Sequence, residues 1–214
     1  MNIGIPTRAF FQVAFPCLFR ADAPKVDGKL TDWDDTFLVP DLGGLDGKEA
    51  FAKVYMAWND GGLYFALDAK GKAKCAVDER RPLRGDGFQV WIDTRDVRNA
   101  HRGSRYCHHF CFWPQADDVA AGGRQFRLRR ARAQARLQDA GRFSVASHAH
   151  KKGYGMEVHI PADALTGFDP GENTRLGFSY VLKDKTLGRQ FWTADETLPV
   201  SYDPSLWGTA ELVK

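Results

Sequence analysis

Four groups of residues in this chain have the types and spacing for chemistry. Cys107-His-His-Phe-Cys111 sets thiols and imidazoles close together. In an extended strand, Cys107, His109 and Cys111 share one face, while His108 and Phe110 share the other. Cysteine and histidine are zinc ligands, but zinc holds sulfur at about 2.3 Å, and strand neighbours two apart are about 6.6 Å from each other. Buried thiols and an ordinary histidine fit the run better than a metal. His148, His150, Glu157 and His159 flank a turn near 151–154. If the flanking strands pair with these faces together, three imidazoles and a carboxylate meet as a metal or acid–base group. A polar outer face is the competing reading. Asp27, Asp32, Asp34 and Asp35 crowd one loop. Hard oxygen ligands suit calcium, with Asp27 and Asp32 as its candidate ligands, although the spacing is not that of an EF-hand. A turn with a solvated acidic surface is the simpler alternative. Seven arginines and two lysines fall between residues 120 and 154, against Asp139 alone. Arginine forks bind carboxylate, sulfate or phosphate, so the run suits an acidic polysaccharide, a solvated sheet face or an acidic neighbour.

The elements that must position these groups are strands. Residues 51–58 and 63–68 are rich in β-formers and enclose Asn59-Asp-Gly-Gly62, a hairpin signal. After the Arg84-Gly-Asp-Gly87 turn, residues 88–93 alternate: Phe88, Val90 and Ile92 on one face, Gln89, Trp91 and Asp93 on the other. Residues 106–113, 143–149, 155–160, 177–182 and 208–213 read as further strands, and 125–137 as a strand or strand pair whose Ala and Arg content also suits a helix. One short helix is expected at Pro161–Leu165, with Gly167 as its stop. Short strands punctuated by turns predict an all-β fold, a sandwich or jelly roll of two antiparallel sheets. No repeat, low-complexity tract or linker divides the chain, so residues 1–214 read as one domain, with 1–16 as an N-terminal extension.

Composition narrows the function. The net charge of +3 is too small to imply nucleic acid, and no recognised reader motif accompanies the arginines. No apolar run approaches the roughly 20 residues that span a bilayer. Residues 10–19 are apolar but interrupted by Gln12 and Pro16, and show no clear cleavage site. Cys107 and Cys111 would lie roughly 13 Å apart in a strand, too far for a disulfide. With the other pairings open, free thiols in a reducing compartment are the default, which favours a cytoplasmic over a secreted location. No Gly-x-Ser-x-Gly, His-Glu-x-x-His or phosphate-cradling glycine loop is present, which points to a binding domain rather than an enzyme.

Four segments in order resemble the family 9 carbohydrate-binding modules and their DOMON-like relatives. They are Val26-Asp-Gly-Lys-Leu-Thr-Asp-Trp33, the Val54–Trp58 to Gly62–Phe65 hairpin, Gly85-Asp-Gly-Phe-Gln-Val-Trp-Ile-Asp93, and Gly177–Tyr180 through Trp192 to Trp207-Gly208 and the last strand. Together they span roughly residues 17 to 214. The resemblance implies a two-sheet sandwich that binds sugars, often at the reducing end of a glycan, with calcium in some members and haem in more distant relatives. The family's two clamping tryptophans map near Leu83 and Tyr202, its acidic strand residue near Gln89 and its arginine near Cys111, so the clamp is not reproduced residue by residue. The resulting expectation is a non-catalytic domain for a neutral or acidic glycan. Trp192 and Tyr202 would stack on the ligand, with Trp207 a further aromatic candidate, while Arg84 and Asp203 bond its polar groups. Trp58 and Trp91, in mid-strand, are expected in the core. Two alternatives accompany this reading. One is a structural or protein-interaction sandwich; the other is a metal- or haem-binding relative using Met56, Met156 and the histidines.

Overall fold

A computed structural model describes residues 4–72 and 74–214. Each expected strand forms because its apolar residues recur at every second position and turn residues close its ends. Among the described residues there are eleven: β1 Ala14–Phe19, β2 Ala52–Asn59, β3 Gly62–Lys70, β4 Gly87–Asp93, β5 Cys107–Trp113, β6 Gly122–Phe126, β7 Ser144–His150, β8 Gly153–Pro161, β9 Arg175–Asp184, β10 Gly188–Phe191 and β11 Gly208–Val213. The hydrogen-bonded order is β6-β5-β4-β9-β11-β1-β2-β3-β8-β7, with β10 on β9. All pairings are antiparallel except those of β1, which runs parallel to both β11 and β2. β1 is thus the seam through which the two layers of the sandwich join into one folded sheet.

The core lies between the layers. Phe88, Val90 and Ile92 of β4 face it as their alternation predicts, with Phe110 and Phe112 of β5 and Phe178 and Leu182 of β9. From the other layer Phe65 meets them, its ring centroid 5.9 Å from Phe88 and 6.0 Å from Phe178. Burying each such side chain stabilises the fold by about 1.5–3 kcal/mol. All four cysteines are free thiols.

Three expectations about elements are corrected. Residues 127–137 form an irregular loop, not a strand pair: only Gly122–Phe126 pairs, and Gln134 bonds the Leu128 backbone at both N–H and carbonyl, closing the loop on itself. The short helix is a single 3-10 turn, Ala162–Ala164, one of several such turns. Within the segment assigned as an extension, Thr7–Phe10 forms a 3-10 turn and β1 begins at Ala14. Pro16 is tolerated there because β2 pairs only with Leu18 and Phe19, leaving a free side.

The Asp-Gly…Asp-Trp segment at 27–33 closes over the outer face of β8. Buried Glu157 accepts hydrogen bonds from the backbone N–H of Asp27 and Gly28 and from the Trp33 indole at 2.6–2.9 Å. Gly28 is required: its φ is +82°, and a Cβ there would lie 2.5 Å from the Ser147 backbone. Glu157→Ala should therefore destabilise the domain by about 3 kcal/mol, since three donors lose a charged acceptor. Urea unfolding followed by tryptophan emission checks this; a loss under about 1 kcal/mol would show that the loop is held otherwise.

Candidate functional site

Three neighbouring strands present a second, non-core face, and the site is built there. Gln89 and Trp91 of β4 lie opposite Cys111 and His109 of β5, and opposite Val181 and Ser179 of β9. The loops at 127–137 and 191–207 roof this face. Under them Trp91, Cys107, Leu128, Val181, Ala194, Val200 and Trp207 form a satellite core, with the Trp207 indole donating to the Val200 carbonyl at 2.7 Å. Where the roof stops, a cavity of about 570 Å³ opens, within the roughly 300–1,000 Å³ usual for small-molecule sites. Leu83, Gln89, Trp91, Lys183, Arg189, Glu196 and Tyr202 line it, joined by Arg129 from the arginine-rich loop.

Its polar groups are held in defined states. His109 is buried, and burial pushes its pKa down to about 3, so the ring is neutral at neutral pH. It stacks on Trp91 at 4.7 Å, and its Nε2 lies 3.1 Å from Gln89 Oε1. A neutral ring donating there takes the amide oxygen and leaves the Gln89 NH₂ for the cavity. Trp91 is 3% exposed, and its indole N–H is buried without a partner among the described residues. Lys183 Nζ donates to the Leu83 carbonyl at 2.9 Å. Burial lowers its pKa, and the neighbouring charges of Arg189 and Lys185 lower it further. Arg189 pairs with Glu196 at 3.1 Å near the surface. Arg130 lies over the Tyr202 ring, 4.9 Å from its centroid, and donates to its hydroxyl at 3.0 Å.

The expected site residues separate. Tyr202 lines the cavity. Trp192 does not: it is fully buried in the main core against Phe15, Phe178 and Tyr180, and its indole donates to the Pro40 carbonyl at 2.8 Å. Trp207 and Trp91 are likewise buried, both in the satellite core as expected for Trp91, which also borders the cavity. Arg84 is exposed at the end of a 3-10 turn outside the cavity, which its neighbour Leu83 lines instead. Asp203 caps the turn Pro204–Leu206, accepting from Ser205 N at 3.0 Å and Ser205 Oγ at 2.6 Å. It also lies 3.3 Å from His101 Nδ1. Ser205 Oγ approaches that same nitrogen, at 3.1 Å, so the trio is not a relay, in which serine and carboxylate occupy opposite ring nitrogens.

The metal readings fare similarly. Asp32 accepts the Lys25 N–H and Asp27 the Lys29 N–H, so each fastens a turn. Among the described residues no three histidine, cysteine or carboxylate groups converge. Asp27 and Asp32 therefore do not fit a calcium site. Register separates the histidines: His159 lies opposite Ser144 and His150 opposite Gly153, at the two ends of the β7–β8 hairpin. His159 stacks on Tyr64, and His150 bonds Asp68. Met56 and Met156 fill the main core, leaving no thioether free as an axial haem ligand among the described residues.

Lys183, Arg189 and Glu196 are the cavity residues that sequence reasoning missed. Only Lys183 had a signal, its alternation with core-facing Leu182.

A family model described as carbohydrate family 9 binding domain-like matches residues 31–214. The chain belongs to this family. The same fold is found in a family 9 carbohydrate-binding module from Caldicellulosiruptor kristjanssonii, solved with cellotriose and with glucose. To the cellotriose complex the identity is 18% and the TM-score 0.63, with 94% of each chain covered. To the glucose complex they are 17% and 0.64, with 94% of this chain and 95% of the other covered. A comparison with curated proteins gives no match. Of the positions onto which the family 9 sugar site maps, Leu83, Gln89 and Tyr202 all line the cavity, and Cys111 pairs directly opposite Gln89.

Proposed function

We propose that this family 9 domain is a non-catalytic carbohydrate-binding module whose ligand occupies the cavity between Leu83, Gln89, Trp91 and Tyr202. The observation that carries this reading is that Leu83, Gln89 and Tyr202, near which the resemblance sets the family's sugar-binding residues, line one cavity. The Tyr202 ring would supply a flat surface for a pyranose ring, and the Gln89 amide, oriented by His109, a directed donor. Glycoside hydrolysis needs two carboxylates across the scissile bond. Among the described residues the cavity is lined by one, Glu196, which is engaged with Arg189. That composition supports binding without bond cleavage.

Titration calorimetry with short oligosaccharides tests the site. Gln89→Leu should weaken binding about five- to tenfold, the loss of roughly 1 kcal/mol for one hydrogen bond. Tyr202→Ala should weaken it by a similar factor through lost stacking. Both variants should melt within a few degrees of the parent. Unchanged affinity in both would place the ligand elsewhere.

A further inference from the structure

The cavity has many more hydrogen-bond donors than acceptors. A neutral sugar presents hydroxyl groups that each donate as well as accept, so a site for one supplies both roles. Here several of the side-chain acceptors are already engaged, although the Thr197 and Ser201 hydroxyls also line the cavity. Gln89 Oε1 faces His109, Glu196 faces Arg189, and the Tyr202 hydroxyl already accepts from Arg130. The donors are not consumed. The Gln89 NH₂ is free once its oxygen is used, and the Trp91 indole N–H is buried with no partner among the described residues. Lys183 spends one of its three ammonium hydrogens on the Leu83 carbonyl.

Charge follows the same pattern. Arg129, Lys183 and Arg189 line the cavity against Glu196 alone, and Glu196 is paired with Arg189. Among the described residues Arg129 and Lys183 have no carboxylate partner. Lys183 is half-buried beside the positive charges of Arg189 and Lys185, and a bound anion would relieve that repulsion. Arg129 is exposed at the rim, where a cation by itself is solvated and screened, but Lys183 stands at a recess whose wall is an almost fully buried indole.

We propose that the cavity selects a sugar bearing an acidic group, and that Lys183 and Arg129 hold that group while the Gln89 amide bonds the ring's oxygens. This inference rests on the carbohydrate-binding reading and names its ligand class. Carboxylate and sulfate present the same chemistry to an ammonium and a guanidinium, so the experiment distinguishes them.

Calorimetry on the intact chain would compare cellotriose, cellotriose with its primary alcohols oxidised to carboxylates, and cellotriose with those alcohols sulfated, alongside acetate and inorganic sulfate. At least one acidic sugar should bind about tenfold or more tightly than cellotriose, the low end of what a hydrogen bond between charged groups contributes. That preference should shrink as salt rises. Lys183→Gln and Arg129→Gln should each cut the ratio of acidic to neutral affinity toward one, and Lys183→Arg should keep it. Cellotriose binding as tightly as both acidic forms would overturn the inference and leave the sugar-binding reading standing. Acetate or sulfate binding as tightly as the acidic sugars would overturn it too, because the recess would then recognise an anion without a ring. Absence of binding by every sugar would overturn both readings together.

Discussion

Acidifying this domain from pH 7 to pH 5 should remove about 4 kcal/mol of its stability through two histidines alone. Burial pushes the pKa of His109 to about 3 and that of His108 to about 4, the Thr166 carbonyl offsetting the latter only in part. In the unfolded chain both titrate near 6.5. Below that value the unfolded state takes up two protons that the folded state refuses, so stability falls as pH falls. Each histidine contributes about 1.4 kcal/mol per pH unit between 6.5 and its folded value. The loss is complete only when the folded rings also protonate, near pH 3–4. Buried Asp93, whose pKa burial raises, works in the opposite direction, but only as the pH approaches the carboxylate range. For a domain whose total stability is roughly 5–15 kcal/mol, the effect brings unfolding within reach near pH 4–5. Urea unfolding at pH 7 and pH 5 measures it, and His109→Gln should flatten the dependence by about half. Equal stability at the two pH values would mean that the rings are not held neutral. Because the folded His109 ring stays neutral until about pH 3, its hold on Gln89 persists through this window.

Lys72→Met should destabilise the domain by about 3–5 kcal/mol, the usual cost of leaving buried charge without its partner. The Lys72 ammonium sits between two carboxylates, 2.6 Å from Asp86 and 3.1 Å from Asp184, and both acids are almost fully buried. Asp86 also accepts from the backbone N–H of Ala76 and Lys185, and Asp184 from those of Thr186 and Leu187. One cation thereby ties the turn that leads into β4 to the end of β9, next to Lys183 and the β9–β10 turn. Burial acts to lower the Lys72 pKa, but the bonds to Asp86 and Asp184 prevail and raise it. Its contribution is therefore fully present below about pH 10.5 and is lost as the pH rises through the higher folded value. A melting-temperature drop of roughly 6–20 °C at pH 7 is the expected reading; a drop below about 2 °C would show that the backbone donors suffice without the ammonium.

Much of the framework was legible because it depends on neighbours in the chain. Phe88, Val90 and Ile92 against Gln89 and Trp91 could be read directly, since strand side chains alternate without regard to anything distant. The 52–70 hairpin announced itself through its Asp-Gly-Gly turn. The arginine-rich stretch misled because alternation was read where there is no partner strand: β6 ends at Phe126, and beyond it Gln134 and the Gly103 carbonyl hold the chain in an irregular path. β10 was missed because four residues carry too little period to register.

The candidate site divides the same way. Family resemblance located Leu83, Gln89 and Tyr202, but the choice of Trp192 over Trp91 as the cavity indole was wrong for a physical reason. A tryptophan's sequence context reports that it will be buried on some face, not which loops will cover that face. Trp192 follows β10 and turns inward onto Phe15 and Phe178, whereas Trp91 lies on the outer side of β4 at the edge of a roof supplied by residues 127–137 and 191–207. The sequence by itself determined the strands, their two faces and the family, because these follow from period-two patterning and local turn chemistry. Only the tertiary structure decided which carboxylates became fasteners, which histidines became neutral supports and which cations stood unpaired around one recess. Those outcomes depend on desolvation and on partners about 10 to 140 residues away, and no local pattern encodes them.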